Sequence, residues 1–161
     1  MNSNHLFNVK LHWVTQKETQ PTETKIYHKN HHIEIDGKAD LAVSAAKAFK
    51  GDSTLYNPED LLLSSLTSCH MMSYLYCCQQ NNITVISYTD NAEAQLEVNQ
   101  DGSGKICKVI LRPEVVIRNS NQIEFAISLH QKANQLCFIA NSCNFPIEHF
   151  PICKAINNEN G

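Results

Sequence analysis

Residues 57 to 78 read NPEDLLLSSLTSCHMMSYLYCC, and the side chain in this stretch best suited to chemistry is the thiol of Cys69. A cysteine reacts as its thiolate, so a reactive Cys69 needs something that stabilises negative charge on sulfur. The dipole of its own helix cannot supply this, because Cys69 lies about a dozen residues inside the segment and the effect fades within the first turn. Its neighbours three and four positions away are Ser65, Leu66, Met72 and Ser73, all uncharged, and His70 points about a quarter-turn off. A cation would have to come from another segment or subunit. A free cysteine in an apolar helix is most often a small hydrophobe, so spacing alone makes no case for catalysis.

Geometry limits which thiols could partner Cys69. Cys77 and Cys78 are eight and nine residues further along the same helix, roughly 12 Å away or more at ~1.5 Å per residue, beyond the ~7 Å Cα limit for a disulfide. Cys107, Cys137, Cys143 and Cys153 lie on other elements and remain open. Cys137 is the best placed by type, on the inward face of a second helix. The dipeptides Cys69-His70 and Cys77-Cys78 lack the gaps of chelating knuckles, so no metal site is expected. No Gly-x-Ser-x-Gly occurs, which removes the nucleophile elbow of a serine hydrolase. The eight histidines are scattered and read as surface or strand residues.

Length and charge narrow the function classes. A chain of 161 residues with 42% hydrophobic residues predicts a single domain, 1–161, with a real core. Thirteen Lys and Arg against 16 Asp and Glu leave a net charge of -3 and no basic block to follow a phosphate backbone, so no nucleic-acid partner is expected. The N-terminal MNSNHLFNVKLHWV has no charged leader followed by an apolar run, and seven cysteines is an odd number. Free thiols in the cytoplasm are the expectation. The run Leu61 to Cys78 has no charged residue, but four Ser, one Thr and one His make it too polar to favour a membrane.

The elements that must position the thiols follow from periodicity. Phe7, Val9, Leu11 and Trp13 alternate with polar residues, the pattern of a half-buried strand. Weaker alternation over Thr24 to Tyr27 and His32 to Ile35, with the Asp36-Gly37 turn before Ala39 to Ala45, completes an N-terminal antiparallel meander. The long helix opens with Asn57 as N-cap, Pro58 at its first position, and Glu59 and Asp60 near the positive dipole end, and runs to about Gln80. Being apolar or small-polar all round, it must be covered on most faces, and a second subunit is expected to contribute. Ile83 to Val98 and Ile106 to Ile117 read as extended chain joined by a DGSG turn. A second helix is expected from Asn121 and Glu124, with Ala126, Ala133, Leu136, Cys137 and Ala140 facing inward. Asn144 to Ile156, with Pro146 and Pro151, reads as a broken tail with an edge strand. The order is that of an α+β domain without βαβ units or repeats.

Asn-Pro-Glu at 57 to 59, a long apolar helix, and a cysteine ten residues after the glutamate together resemble the osmotically inducible protein C and organic hydroperoxide resistance (OsmC/Ohr) family. The likeness runs from about Lys10 to Pro151 and includes SAAKAFKGD and ANQLCFIANSCNFP. It implies an OsmC-like fold with antiparallel sheets around two central helices, an intertwined homodimer, and a thiol-dependent peroxidase needing no metal or organic cofactor. It further implies that Cys69 is the peroxidatic cysteine, Glu59 the glutamate of an active-site salt bridge, and Cys137 the resolving cysteine, with Cys143 second. The partners implied are an organic hydroperoxide and an external dithiol reductant. The sequence departs from the pattern in two ways. Its only arginines, Arg112 and Arg118, come late, leaving Lys29, and more weakly His28, where the family's N-terminal arginine stands; Phe138 follows Cys137 where proline is common. Both departures point to a divergent OsmC-like branch, whose alternative function is stress-response binding without turnover.

Overall fold

A computed structural model describes residues 4–14 and 27–156, and the chain divides into two compact units, Met1–Leu61 and Leu62–Gly161. In the first unit β1 (Lys10–His12), β2 (His31–Glu34) and β3 (Leu41–Val43) form an antiparallel sheet in that order. The expected meander is present, and Gly37 turns it with φ +75°, a conformation that suits glycine. The expected half-burial of the first strand is not observed. Phe7 is 90% exposed and Val9 64%, because β1 is a three-residue edge strand whose apolar side is uncovered within this chain. Most of the weaker strand expected from Thr24 lies outside the described residues.

α1 (Pro58–Gln80) starts where its sequence says it should. The Asp60 N–H donates to Asn57 Oδ1 at 2.9 Å, and the Asn57 N–H donates back to Asp60 Oδ2 at 3.3 Å, a reciprocal cap satisfying two donors that the helix leaves over. Within the second unit only one stripe of α1 is buried: Leu66, His70, Tyr74, Cys77 and Cys78, at spacings of three to four residues. Met72, Leu75 and Tyr76 are exposed, so the cover expected on most faces is not supplied by this chain.

The rest of the second unit is built to cover that stripe. β4 (Val85–Asp90), β7 (Pro113–Ile117) and β9 (Ile152–Ala155) form one sheet in the order β4-β7-β9; β5 (Glu93–Val98), β6 (Gly104–Leu111) and β8 (Ile147–His149) form another in the order β5-β6-β8. The expected β5–β6 hairpin is there, its turn held by Asp101 Oδ1 accepting from the Ser103 N–H at 2.9 Å. The expected single strand from Ile106 to Ile117 is instead two, in different sheets. The Arg112 N–H is taken by the Asp90 carboxylate at 2.8 Å, and Pro113 has no N–H to continue the ladder. The sheets are also not purely antiparallel: β8 pairs parallel to β6 and β9 parallel to β7. The tail returns through helices rather than a tight turn, and a return of that length permits parallel pairing.

α2 (Ile123–Leu136) begins later than the Asn121–Glu124 spacing predicts. Asn119 takes the cap first, its Oδ1 accepting from the Asn121 N–H at 3.0 Å, and a 3₁₀ turn over Ser120–Gln122 intervenes. The inward stripe does not run unbroken to Ala140 either. At Cys137 the backbone turns extended, φ -73° and ψ 110°, before the short α3 (Phe138–Asn141). Ala126 and Ala133 are fully buried, as their spacing predicts. Among the described residues, no helix is long and apolar enough to cross a membrane.

Replacing Asn57 with Ala removes the side-chain half of the α1 cap, the Oδ1 that accepts from the Asp60 N–H, while residue 57 keeps its own N–H to Asp60, and should lower stability by about 1 kcal/mol. Urea unfolding followed by circular dichroism measures it, and an unchanged midpoint would contradict the assigned cap.

Candidate active site

Cys69 is carried on the flank of the buried α1 stripe, one position from His70 and three from Leu66, and is therefore half-buried. Cys137, at the break between α2 and α3, is fully buried, and Cys69 packs against it in a cluster with Leu66, Val109 and Leu111. The structure thus brings together these two thiols from the two helices. Cys143 lies past α3, and burial alone raises its pKa.

The two sulfurs differ in environment. Burial pushes the Cys137 pKa up to about 11, and the adjacent Cys69 sulfur pushes the same way; the Ala140 N–H, 3.4 Å from Cys137 Sγ, opposes but does not cancel this. Cys137 therefore keeps its proton at neutral pH. Cys69 opens onto an apolar cavity of about 410 Å³ lined also by Met72, Ser73, Tyr76, Leu136 and Phe138. A small apolar molecule can reach Cys69 there, whereas Cys137 presents no surface to solvent.

Lys29 and Glu59 lie in the first unit. The Lys29 ammonium donates to the Phe49 carbonyl, and among the described residues no ion pair joins it to Glu59, which is half-buried in the first turn of α1. His28 Nε2 bonds the Val14 carbonyl at 2.8 Å, with the ring stacked on Trp13. Of the two arginines, Arg112 is paired with Glu93 at 2.9 Å on the surface.

The reading of the histidines as surface or strand residues fails for two of them, and these complete the surroundings of the thiols. His70 is fully buried, and its Nε2 meets Nδ1 of the buried His130 on α2 at 3.0 Å. His149, on β8, lies tilted against His70 with centroids 4.6 Å apart, and Tyr74 lies parallel to His130 at 3.9 Å. Tyr88 and Asp90 of β4 adjoin the same group. The signal was in the spacing. His70 falls four residues after Leu66 and four before Tyr74, and His130 falls four after Ala126 and seven before Cys137. Among the described residues no three His, Cys, Asp or Glu side chains are arranged to hold a metal ion.

A model of the OsmC-like protein family matches residues 51–149, a span that holds the α1 cap, both thiols and the histidine group. The chain belongs to the OsmC-like protein family. Among solved structures, the OsmC-like chain is similar to an OsmC-like protein of unknown function from Vibrio cholerae, with 29% identity, 90% of this chain and 97% of that one covered, and a TM-score of 0.77. It shares its fold with an organic hydroperoxide resistance protein OsmC from Legionella pneumophila (18% identity, 95% and 99% covered, TM-score 0.70). It does so also with the organic hydroperoxide resistance protein OhrB of Bacillus subtilis (18% identity, 92% and 98% covered, TM-score 0.58). In sequence, no curated protein matches the OsmC-like chain significantly.

The buried imidazoles of the OsmC-like chain make its stability acid-sensitive. Burial holds His70 down to about 3, helped by charge on His149 and His130, and His130 down to about 4, helped by charge on His149, and burial lowers His149 as well. A lowered folded-state pKa means that the unfolded chain binds the proton first. Stability is complete above the ordinary value of 6.5 and is lost as pH falls below it, at about 1.4 kcal/mol per pH unit for each such ring. The urea midpoint should therefore drop steeply between about pH 6.5 and pH 4.5, and His130→Phe should flatten that slope. A midpoint independent of pH over this range would contradict the neutral buried stack.

Proposed function

We propose that this OsmC-like chain is a cytoplasmic, homodimeric thiol peroxidase that reduces organic hydroperoxides. The observation that carries the reading is the pairing of an accessible sulfur, Cys69, on an apolar cavity, with a sealed and protonated one, Cys137, behind it. The Cys69 thiolate attacks the distal oxygen of the hydroperoxide; the O–O bond breaks and the alkoxide leaves as the alcohol after taking a proton. The resulting sulfenic acid condenses with the Cys137 thiol, forming the disulfide and releasing water. An external dithiol then restores both thiols by two successive exchanges. These steps balance on sulfur, peroxide and reductant alone.

The wall of Met72, Tyr76, Leu136 and Phe138 favours an alkyl or lipid tail over hydrogen peroxide, because it offers apolar contact and few hydrogen bonds. The same side chains support the homodimer. Phe138 is 82% exposed in the single chain, and with Met72 and Tyr76 it leaves an apolar patch that a second copy would remove from water. Lys29 and Glu59 keep in this proposal the charge-pair roles that the family pattern gives them. A second reading, an OsmC-like binding protein without turnover, draws support from the commitment of the Lys29 charge to the Phe49 carbonyl.

Purified protein should consume cumene hydroperoxide in the presence of a dithiol, and Cys69→Ser should lower the rate at least about 100-fold. Cys137→Ser should complete the first step and accumulate a Cys69 sulfenic acid that dimedone traps. An unchanged rate in Cys69→Ser removes the peroxidase, and no trappable sulfenic acid in either protein favours the binding reading.

A further inference from the structure

We infer that His70 and His130 are positioning residues for closure of the Cys69–Cys137 disulfide, an assignment that rests on the thiol-pair reading above. Closure demands that two sulfurs on different elements reach a bond of about 2.05 Å, so α1 and the end of α2 must be held in register to a fraction of a residue rise of ~1.5 Å. Most of the contact between these helices cannot do this. Cys77 and Cys78 of α1 and Ala126, Leu129 and Ala133 of α2 bury apolar surface in one cluster, whose attraction is non-directional and changes little when one helix slides along the other.

A hydrogen bond is directional. Among the described residues, the bond between His70 Nε2 and His130 Nδ1, 3.0 Å, is the one side-chain hydrogen bond that joins α1 to α2. Each end stands at a fixed offset from a reacting sulfur. His70 follows Cys69 directly on α1, and His130 lies seven residues before Cys137, the residue that caps the C-terminal end of α2. Ring contacts complete the clamp: Tyr74 lies parallel to His130 at 3.9 Å and His149 lies tilted against His70 at 4.6 Å.

The arrangement is a poor one if stability alone is served. His70 Nδ1, His130 Nε2 and His149 Nε2 are buried with no hydrogen-bond partner, and an apolar stripe in their place would avoid that cost. What the imidazoles supply that leucines would not is a defined register at the level of the thiols.

The test separates attack from closure in the full chain. His130→Phe keeps the flat ring against Tyr74 and removes the acceptor or donor at Nδ1. After one equivalent of cumene hydroperoxide, its Cys69 sulfenic acid should appear within twofold of the wild-type rate, while the Cys69–Cys137 disulfide, mapped by peptide mass, should form at least tenfold more slowly, with more sulfinic acid. His130→Asn, polar but too short to span to His70, should show the same slowing, whereas His70→Gln, with an amide to reach His130, should recover at least half of the wild-type closure rate. Diamide, which takes two electrons and two protons from a thiol pair to become the hydrazine, should close the disulfide at least tenfold more slowly in both His130 variants. That arm needs no peroxidase activity: a wild-type protein inert to hydroperoxide defeats the proposed function, while the diamide rates still decide the positioning. Wild-type closure by diamide in either folded His130 variant, with folding checked by circular dichroism, overturns the inference.

Discussion

A helix with no charged residue from Leu61 to Cys78 cannot remain in water, and burying its Leu66–His70–Tyr74–Cys78 stripe is the constraint that organises the Leu62–Gly161 unit. Val109 and Leu111 of β6 close on the Leu66 end with Cys137, while Val115 and Ile117 of β7 and the alanine face of α2 close on the Tyr74–Cys78 end. The split of the extended chain at Arg112 and Pro113 lets consecutive strands belong to different sheets and cover different lengths of one helix.

The same burial sets the two thiols apart in environment. Cys69 and Cys137 are chemically identical groups, and only their depth distinguishes them. The one on the flank of the stripe meets a cavity; the one at the break between α2 and α3 is sealed and held protonated. An accessible thiol backed by a protected one is the order of events that a two-cysteine peroxidase needs, since the first must meet substrate and the second must meet only the first.

Burial also accounts for what is unfavourable in the core. Three imidazoles with unpartnered nitrogens sit where leucines would be more stable, and they make the fold dependent on staying uncharged there. Their geometry couples the two thiol-bearing helices, so the feature that weakens the unit in acid is also the one that gives it a fixed register. Met72 and Tyr76 of α1 and Phe138 of α3 are exposed, so the surface that the unit leaves open beside Cys69 is apolar too.

Much of this was local and could be read from the chain. The α1 start needed only Asn57, Pro58 and Asp60, because a capping box closes within four residues. The hairpin turn at residues 99–103 and the inward placing of Ala126, Ala133 and Cys137 likewise follow from short-range chemistry and a 3.6-residue period. Tertiary structure decided what depends on partners far off in sequence. The parallel pairing of β8 and β9, the exposure of β1, the break at Cys137, and the contact of Cys137 with Cys69 arise from packing between segments 38 or more residues apart, or from cover that is missing. The histidines show the boundary most clearly. The reading of His70 and His130 as surface or strand residues passed over a spacing that puts both on buried faces, and only the meeting of α1 and α2 could turn two separate imidazoles into one hydrogen bond.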